Sequence, residues 1–253
     1  MGSLTVRRAI RRYKSGVGAE VLDDVLKEYV LSIYLGGTLL VKLICIPEYL
    51  DELVLGYLYS DGIISSADDV DSIVVDGDVA EVALRGGTSA AAGVEDSGII
   101  VTDSGDFVGV PYKFRQPGPD VVVKAPDWDP DMIVANISLL LEKSELFKQT
   151  GNVHSVMICR GNRLLYFSED VGRYNAFDKC LGRALKDKTD LSDTCVYTSG
   201  RIPSSMALKT LRAGIPMIVS RSAPTDATLA IAAQHGLTVI GFAGANKFNL
   251  YTP

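Results

Sequence analysis

Residues 194–242 read TCVYTSGRIPSSMALKTLRAGIPMIVSRSAPTDATLAIAAQHGLTVIGF, and this stretch decides the fold. Short apolar runs at 194–198, 216–220 and 237–242 alternate with helical stretches at 204–213 and 224–234. Such alternation predicts a partly parallel sheet with helices packed on its faces. Upstream, Asp129-Pro130 opens a helix whose apolar stripe is Ile133, Ile137, Leu140 and Leu141, and Gly151 stops it. Runs at 154–160 and 164–167 flank Gly161-Asn162 as a hairpin, and a helix is expected over 171–186.

The first half follows a different plan, an α+β unit. Runs at 29–35 and 38–46 flank Gly36-Gly37, a two-residue hairpin turn. Pro47 is expected to open a helix, since its missing N–H costs nothing at the first helical position. Leu50, Leu53, Val54, Tyr57 and Leu58 recur at helical spacing, and Asp61-Gly62 ends the run. A second hairpin follows over 70–75 and 79–84, around Asp76-Gly77-Asp78. Residues 86–130 are rich in Gly, Ser, Asp and Pro, and a mobile loop is expected near 101–110. The organisation expected is an arm at 1–27, the α+β unit at 28–116, a linker at 117–130 and an α/β domain at 131–253.

Composition excludes several classes. The chain has 253 residues, 47% hydrophobic and 22% charged, which suits a globular protein and rules out disorder or a collagen-like chain. A net charge of −6 argues against a nucleic-acid partner, which needs a basic face. No apolar run reaches the ~18 residues of a membrane span, and no apolar core follows the basic start, so a cytoplasmic protein without a membrane partner is expected. The four cysteines, Cys45, Cys159, Cys180 and Cys195, form no C-x-x-C pair and sit mostly in apolar runs. They are expected to be reduced and mostly buried. With only His154 and His235 to add, no zinc or other metal site is expected.

Three strand-to-helix turns carry unusual polar sequences: 169–175, 199–205 and 220–226. In an open α/β sheet such turns lie beyond the carboxyl ends of the strands, where ligands bind. Helix N-termini there offer free N–H groups to an anion, and Arg173, Arg201 and Arg221 add charge-assisted donors. The inference is a crevice for a phosphorylated ligand. The competing reading is that Asp170, Ser199 and Ser222 cap helices while the arginines are solvated. The residues leave the two evenly matched. No P-loop and no G-x-S-x-G elbow is present. His154 fits either a structural hydrogen bond or a phosphate donor, and His235 reads as a helix C-terminal cap or surface residue.

The motifs at these turns resemble a known family. Thr150-Gly151-x-x-His154, Glu169-Asp170-Val171-Gly172-Arg173-x-Asn175-Ala176-x-Asp178-Lys179, Ser199-Gly200-Arg201 and Ser222-Ala223-Pro224-Thr225 are similar to the formate dehydrogenase accessory sulfurtransferases, FdhD/NarQ. So are Leu237-Thr238-Val239-Ile240-Gly241-Phe242 with Phe248-Asn249-Leu250-Tyr251, and the run from Glu52 to Ile64. The resemblance implies a small N-terminal α+β roll and a C-terminal three-layer α/β/α domain of the cytidine deaminase-like kind. It implies that the molybdenum cofactor, in its bis-molybdopterin guanine dinucleotide form, is bound. The implied contacts are His154, Glu169, Asp170, Gly172, Arg173, Asn175, Ser199, Gly200, Arg201, Ser222, Ala223, Pro224 and Thr225, and the stretch Phe242, Ala243, Gly244, Ala245, Asn246 and Lys247. It further implies sulfur delivery from a cysteine desulfurase to that cofactor before formate dehydrogenase receives it, and a homodimer. Two departures stand out. Ser104 and Phe107 fall near the positions of the family's persulfide-carrying loop cysteines, and neither side chain can carry a persulfide. Tyr174 and Ser205 stand where the family usually has His and Glu. The alternatives are a working sulfurtransferase with another thiol, a cofactor-binding chaperone or regulator without the sulfur step, and an unrelated α/β nucleotide-binding enzyme.

Overall fold

The computed structural model describes residues 3–87, 100–101 and 121–252. Ser104, Phe107, most of the expected loop at 101–110 and the first part of the linker lie outside the described residues.

The expected arm is a hairpin. β1 (Thr5–Lys14) pairs antiparallel with β2 (Val17–Leu26) across Ser15-Gly16, both at positive φ. The two strands form a sheet of their own.

The N-terminal domain holds β3 (Tyr29–Leu35), β4 (Thr38–Cys45), α1 (Leu50–Ser60), β5 (Val70–Asp76), β6 (Val79–Leu84) and β7 (Ile100–Val101). Gly36 and Gly37 take φ of 56° and 80°, the paired left-handed turn that matches strand twist. The sheet order is β5-β6-β3-β4-β7, with β3/β6 and β4/β7 parallel. Leu53, Val54 and Leu58 of α1 pack on Leu31, Ile33, Val41 and Leu43 of the sheet. α1 starts at Leu50, three residues later than Pro47 suggested. The N–H and C=O of Ile46 are taken by Asp170 and Lys179, so the chain stays out of helix until Tyr49 turns it at φ 54°.

The C-terminal domain runs α2 (Pro130–Lys143), α3 (Glu145–Thr150), β8 (His154–Arg160), β9 (Arg163–Asp170), α4 (Arg173–Lys186), β10 (Cys195–Thr198), α5 (Ser204–Arg212), β11 (Met217–Ser220), α6 (Asp226–His235), β12 (Thr238–Gly241) and β13 (Asn249–Thr252). The sheet order is β13-β12-β11-β10-β8-β9, parallel through β10, β11 and β12 and antiparallel elsewhere. Strand alternation divides the core. Val156, Ile158, Val196, Ile218 and Val239 face α4, α5 and α6, while Met157, Cys159, Tyr197, Val219 and Ile240 face α2. This is the expected α/β fold in three layers.

α1 of the first domain crosses α4 of the second at backbone contact. A Cβ on Gly56 would lie 1.9 Å from Asp178 O, and one on Gly182 would lie 1.9 Å from Glu52 O. Glycine costs about 1 kcal/mol in a helix interior, and here it is what lets the two backbones touch.

Candidate functional site

Three turns meet where the parallel strands end, at the place expected for the crevice. Beyond Thr198, Ser220 and Gly241 the chain makes three turns that are stitched together by backbone bonds. Ile202 N donates to Ala223 O at 3.0 Å, Phe242 N to Ser222 O at 2.9 Å and Ala243 N to Ser220 O at 2.9 Å. Ser220 Oγ donates to Gly200 O, and Gly200 N donates to Thr198 Oγ1 at 3.1 Å. Such crossing bonds hold the turns rigid, as a preformed ligand site requires. The Gly200 position is close: a Cβ there would meet Arg173 Cβ at 3.1 Å and His154 Nδ1 at 3.3 Å. The structure therefore brings His154, Arg173 and the 199–201 turn together.

Arg173 is the first residue of α4, whose N-cap, Gly172, provides no side-chain cap. Arg173 is only 9% exposed, and among the described residues its Nε has no hydrogen-bond partner. Its guanidinium lies 5.5 Å from the ring centre of Tyr174, whose hydroxyl is hydrogen-bonded to Ser205. A buried donor without an acceptor is costly, so the helix N-terminus and this side chain together favour an anion. Arg201 and Arg221 are exposed on the neighbouring turns, so only one of the three arginines is buried.

Phe242, on the turn bonded to Ser222, takes φ 51° and is 47% exposed. A non-glycine residue held there is strained, and the strain presents an aromatic face to solvent. Gly244 N donates to Lys247 O at 2.9 Å, closing a tight turn that carries exposed Ala245, Asn246 and Lys247. Ala243 is buried in the core under α2, so its side chain does not face the crevice.

Several expected site residues serve the fold instead. β9 runs to Asp170, so Glu169 and Asp170 lie in a strand paired with Ser155 and His154, not in a turn. The Glu169 carboxylate accepts from Leu146 N at 2.9 Å and Phe147 N at 3.0 Å, capping α3 from outside. Asp170 is buried between Gly172 N, Asn175 Nδ2, Ile46 N and Lys179. Asn175 also donates to Ile44 O at 2.8 Å. Ser199 Oγ accepts from Ser155 N at 3.0 Å and lies 3.4 Å from His154 Nδ1. Helix capping falls elsewhere than expected. Thr225 caps α6 through Thr228 N, and neither Asp170, Ser199 nor Ser222 is an N-cap. Pro224 and Ala223 contribute backbone to the stitched turns. His235 is buried as the last residue of α6, donating from Nδ1 to Val121 O at 2.6 Å, so the surface alternative does not hold.

All four cysteines are free and buried. Burial pushes the thiols of Cys45, Cys159 and Cys180 up to about 12, and that of Cys195 well above its ordinary value. At neutral pH none is a thiolate. Among the described residues no group of three or more His, Cys, Asp or Glu is placed to hold a metal ion, and no helix is long and apolar enough to cross a membrane.

Sequence reasoning missed Asp178, Lys179 and Lys209 as structural charges. For Asp178 and Lys179 the signal was spacing: 175, 178, 179 and 182 share one face of α4, the face that meets the first domain.

Comparison with known proteins agrees with this architecture. The FdhD/NarQ family model matches residues 26–253. A protein named "Sulfur carrier protein FdhD" from Listeria monocytogenes is 34% identical over 96% of this chain and 95% of its own. One of the same name from Bacillus subtilis is 31% identical over 98% and 96%. The crystal structure of a formate dehydrogenase accessory protein from Desulfotalea psychrophila superposes with a TM-score of 0.79 at 26% identity, covering 99% of this chain and 98% of that one. A match of this length takes in the second hairpin, the glycine crossing and all three stitched turns, and with it the chain belongs to the FdhD/NarQ family.

Proposed function

We propose that the chain is a formate dehydrogenase accessory protein. Its crevice receives the molybdenum cofactor, in the bis-molybdopterin guanine dinucleotide form, as cargo. The observation that carries this reading is the buried Arg173 Nε, without a hydrogen-bond partner among the described residues, at the uncapped N-terminus of α4. A pyrophosphate oxygen supplies the acceptor that Arg173 lacks, and the exposed ring of Phe242 offers a stacking face to a guanine. Arg201, Arg221 and Lys247 add positive charge around the rim.

The same reading places the protein upstream of the dehydrogenase as a holder of cofactor and not as a carrier of sulfur on cysteine. A persulfide forms on a thiolate, and the four thiols of this chain are buried and protonated. Ser104 and Phe107 supply no sulfur nucleophile. The relatives' name favours a second reading, in which a cysteine desulfurase loads one of these four thiols and the sulfur passes to the cofactor. A cytoplasmic location and a homodimer belong to both readings.

Calorimetric titration with GDP, a fragment of the guanine dinucleotide, tests the crevice. A charge-assisted hydrogen bond contributes about 1.5–3 kcal/mol, so Arg173→Ala should weaken GDP binding about 10- to 100-fold. An affinity unchanged in the variant removes the crevice reading. Incubation with a desulfurase and cysteine, followed by mass spectrometry, separates the two sulfur readings. Persulfide on Cys45, Cys159, Cys180 or Cys195 restores the carrier role.

A further inference from the structure

Asp170 is fully buried at the end of β9, and one of its oxygens reaches across to the first domain. Oδ1 accepts from Gly172 N at 3.1 Å and from Asn175 Nδ2 at 3.0 Å, both within the turn that opens α4. Oδ2 accepts from Ile46 N at 3.1 Å and lies 2.6 Å from Lys179 Nζ. Lys179 in turn donates to Ile46 O at 2.9 Å, and Asn175 donates to Ile44 O at 2.8 Å. The end of β4, in the first domain, is thus held by side chains from the strand and helix that frame the crevice in the second.

Stability alone is a weak reason for such an arrangement. A buried ion pair loses much of its attraction to desolvation, and an apolar pair of equal volume often does as well. What the carboxylate supplies is orientation. Gly172 has no side-chain cap, so the turn that presents the α4 N–H groups and Arg173 depends on Asp170 Oδ1 for its shape. Oδ1 is in turn oriented because Oδ2 is pinned by Ile46 and Lys179. If the end of β4 left its seat, Oδ2 would lose one partner, Lys179 another, and the turn its anchor.

We infer that Asp170 is a positioning residue that links anion binding in the crevice to docking of the N-terminal domain. The inference rests on the crevice reading above and deepens it. Linkage is reciprocal: if docking strengthens binding, the bound ligand strengthens docking by the same factor.

Hydrogen exchange with and without GDP, beside GDP titration, tests the link on the full chain. In the unsubstituted protein GDP should slow exchange of the Gly172 and Ile46 amides together, each by about tenfold or more. The double variant Asp170→Asn with Lys179→Met removes both charges at similar volume. It should bind GDP about tenfold more weakly, and Ile46 should no longer respond to the ligand. If the double variant does not fold, Asn175→Ala replaces it, with a smaller loss of affinity and the same uncoupling of Ile46. A purely structural role would lower the melting temperature and leave the response of Ile46 to GDP intact, and that result overturns the inference. So does GDP binding that slows Gly172 but not Ile46 in the unsubstituted protein. Absence of any GDP binding overturns the crevice reading as well, so the two failures are told apart.

Discussion

Two buried charge clusters fasten the same seam, and they are built differently. Against the segment that precedes α1, Asp170 of β9 faces Lys179 of α4: one carboxylate, one ammonium, with backbone groups of Ile44 and Ile46 completing the set. At the end of α1, Lys209 lies 2.6 Å from Asp61 and 3.0 Å from Asp178, and Ser60 Oγ donates to Asp178 at 2.6 Å. That is two carboxylates on one ammonium. The first cluster pairs one carboxylate with one ammonium, and the second brings Asp61 as a second carboxylate beside Asp178. Burial, with the second carboxylate of Asp61, pushes Asp178 up to about 6 against the pull of Lys209. Burial works against the Lys209 proton too, but Asp178 and Asp61 outweigh it and hold the ammonium above the ordinary lysine range. The second cluster therefore holds a carboxyl whose titration moves toward neutral pH.

The largest effect is expected from unbalancing the balanced cluster. Lys179→Met leaves the Asp170 carboxylate buried without its cation, which costs about 3–5 kcal/mol. Urea unfolding measures it. Adding Asp170→Asn to the same chain should recover most of the loss, because no bare charge remains. A loss under about 1 kcal/mol in the single variant would show that Asp170 is not held as an ion in the folded state.

The second cluster is tested by pH. The carboxyl of Asp178 is raised from 3.8 to about 6 on folding. Between those values the folded protein keeps a proton that the unfolded chain has released. Its contribution to stability is therefore complete below about pH 4 and is lost as pH rises through about 6. The size is about 3 kcal/mol, since each tenfold gain in proton affinity on folding is worth roughly 1.4 kcal/mol. Asp178→Asn should flatten the stability profile across that window. An unchanged slope would move the titration to another group.

Much of this seam was illegible in the sequence, for a physical reason. The alternation over 194–242 exposed the sheet because short buried strands and capped helices have local patterns. Gly36-Gly37 exposed the first hairpin in the same way. Asp170 carries no such local sign. Its partner Ile46 is 124 residues away, so a carboxylate two residues before a glycine read as a helix cap and ligand contact. Arg173 was legible as a charge but not as a buried one, since the close approach of Gly200 comes from another segment of the chain. β1 and β2 escaped notice because Arg7-Arg8 and Arg11-Arg12 put charge on both faces and leave no period-two signal.

A third cluster on this seam completes the comparison at the surface. Lys186, near the end of α4, pairs with Asp51 and lies 3.1 Å from Glu52 at the start of α1. It joins α4 to the start of α1, close to the buried clusters, yet Lys186 and Asp51 are exposed by more than a third. Water screens such pairs, and holding long side chains in place costs entropy. Lys186→Ala should therefore lower stability by only about 0.5 kcal/mol, and the difference should shrink further in about 1 M salt. Urea unfolding at low and high salt measures both. A loss as large as that of Lys179→Met would mean that the position of a charge on the α1–α4 seam, and not its burial, sets its worth.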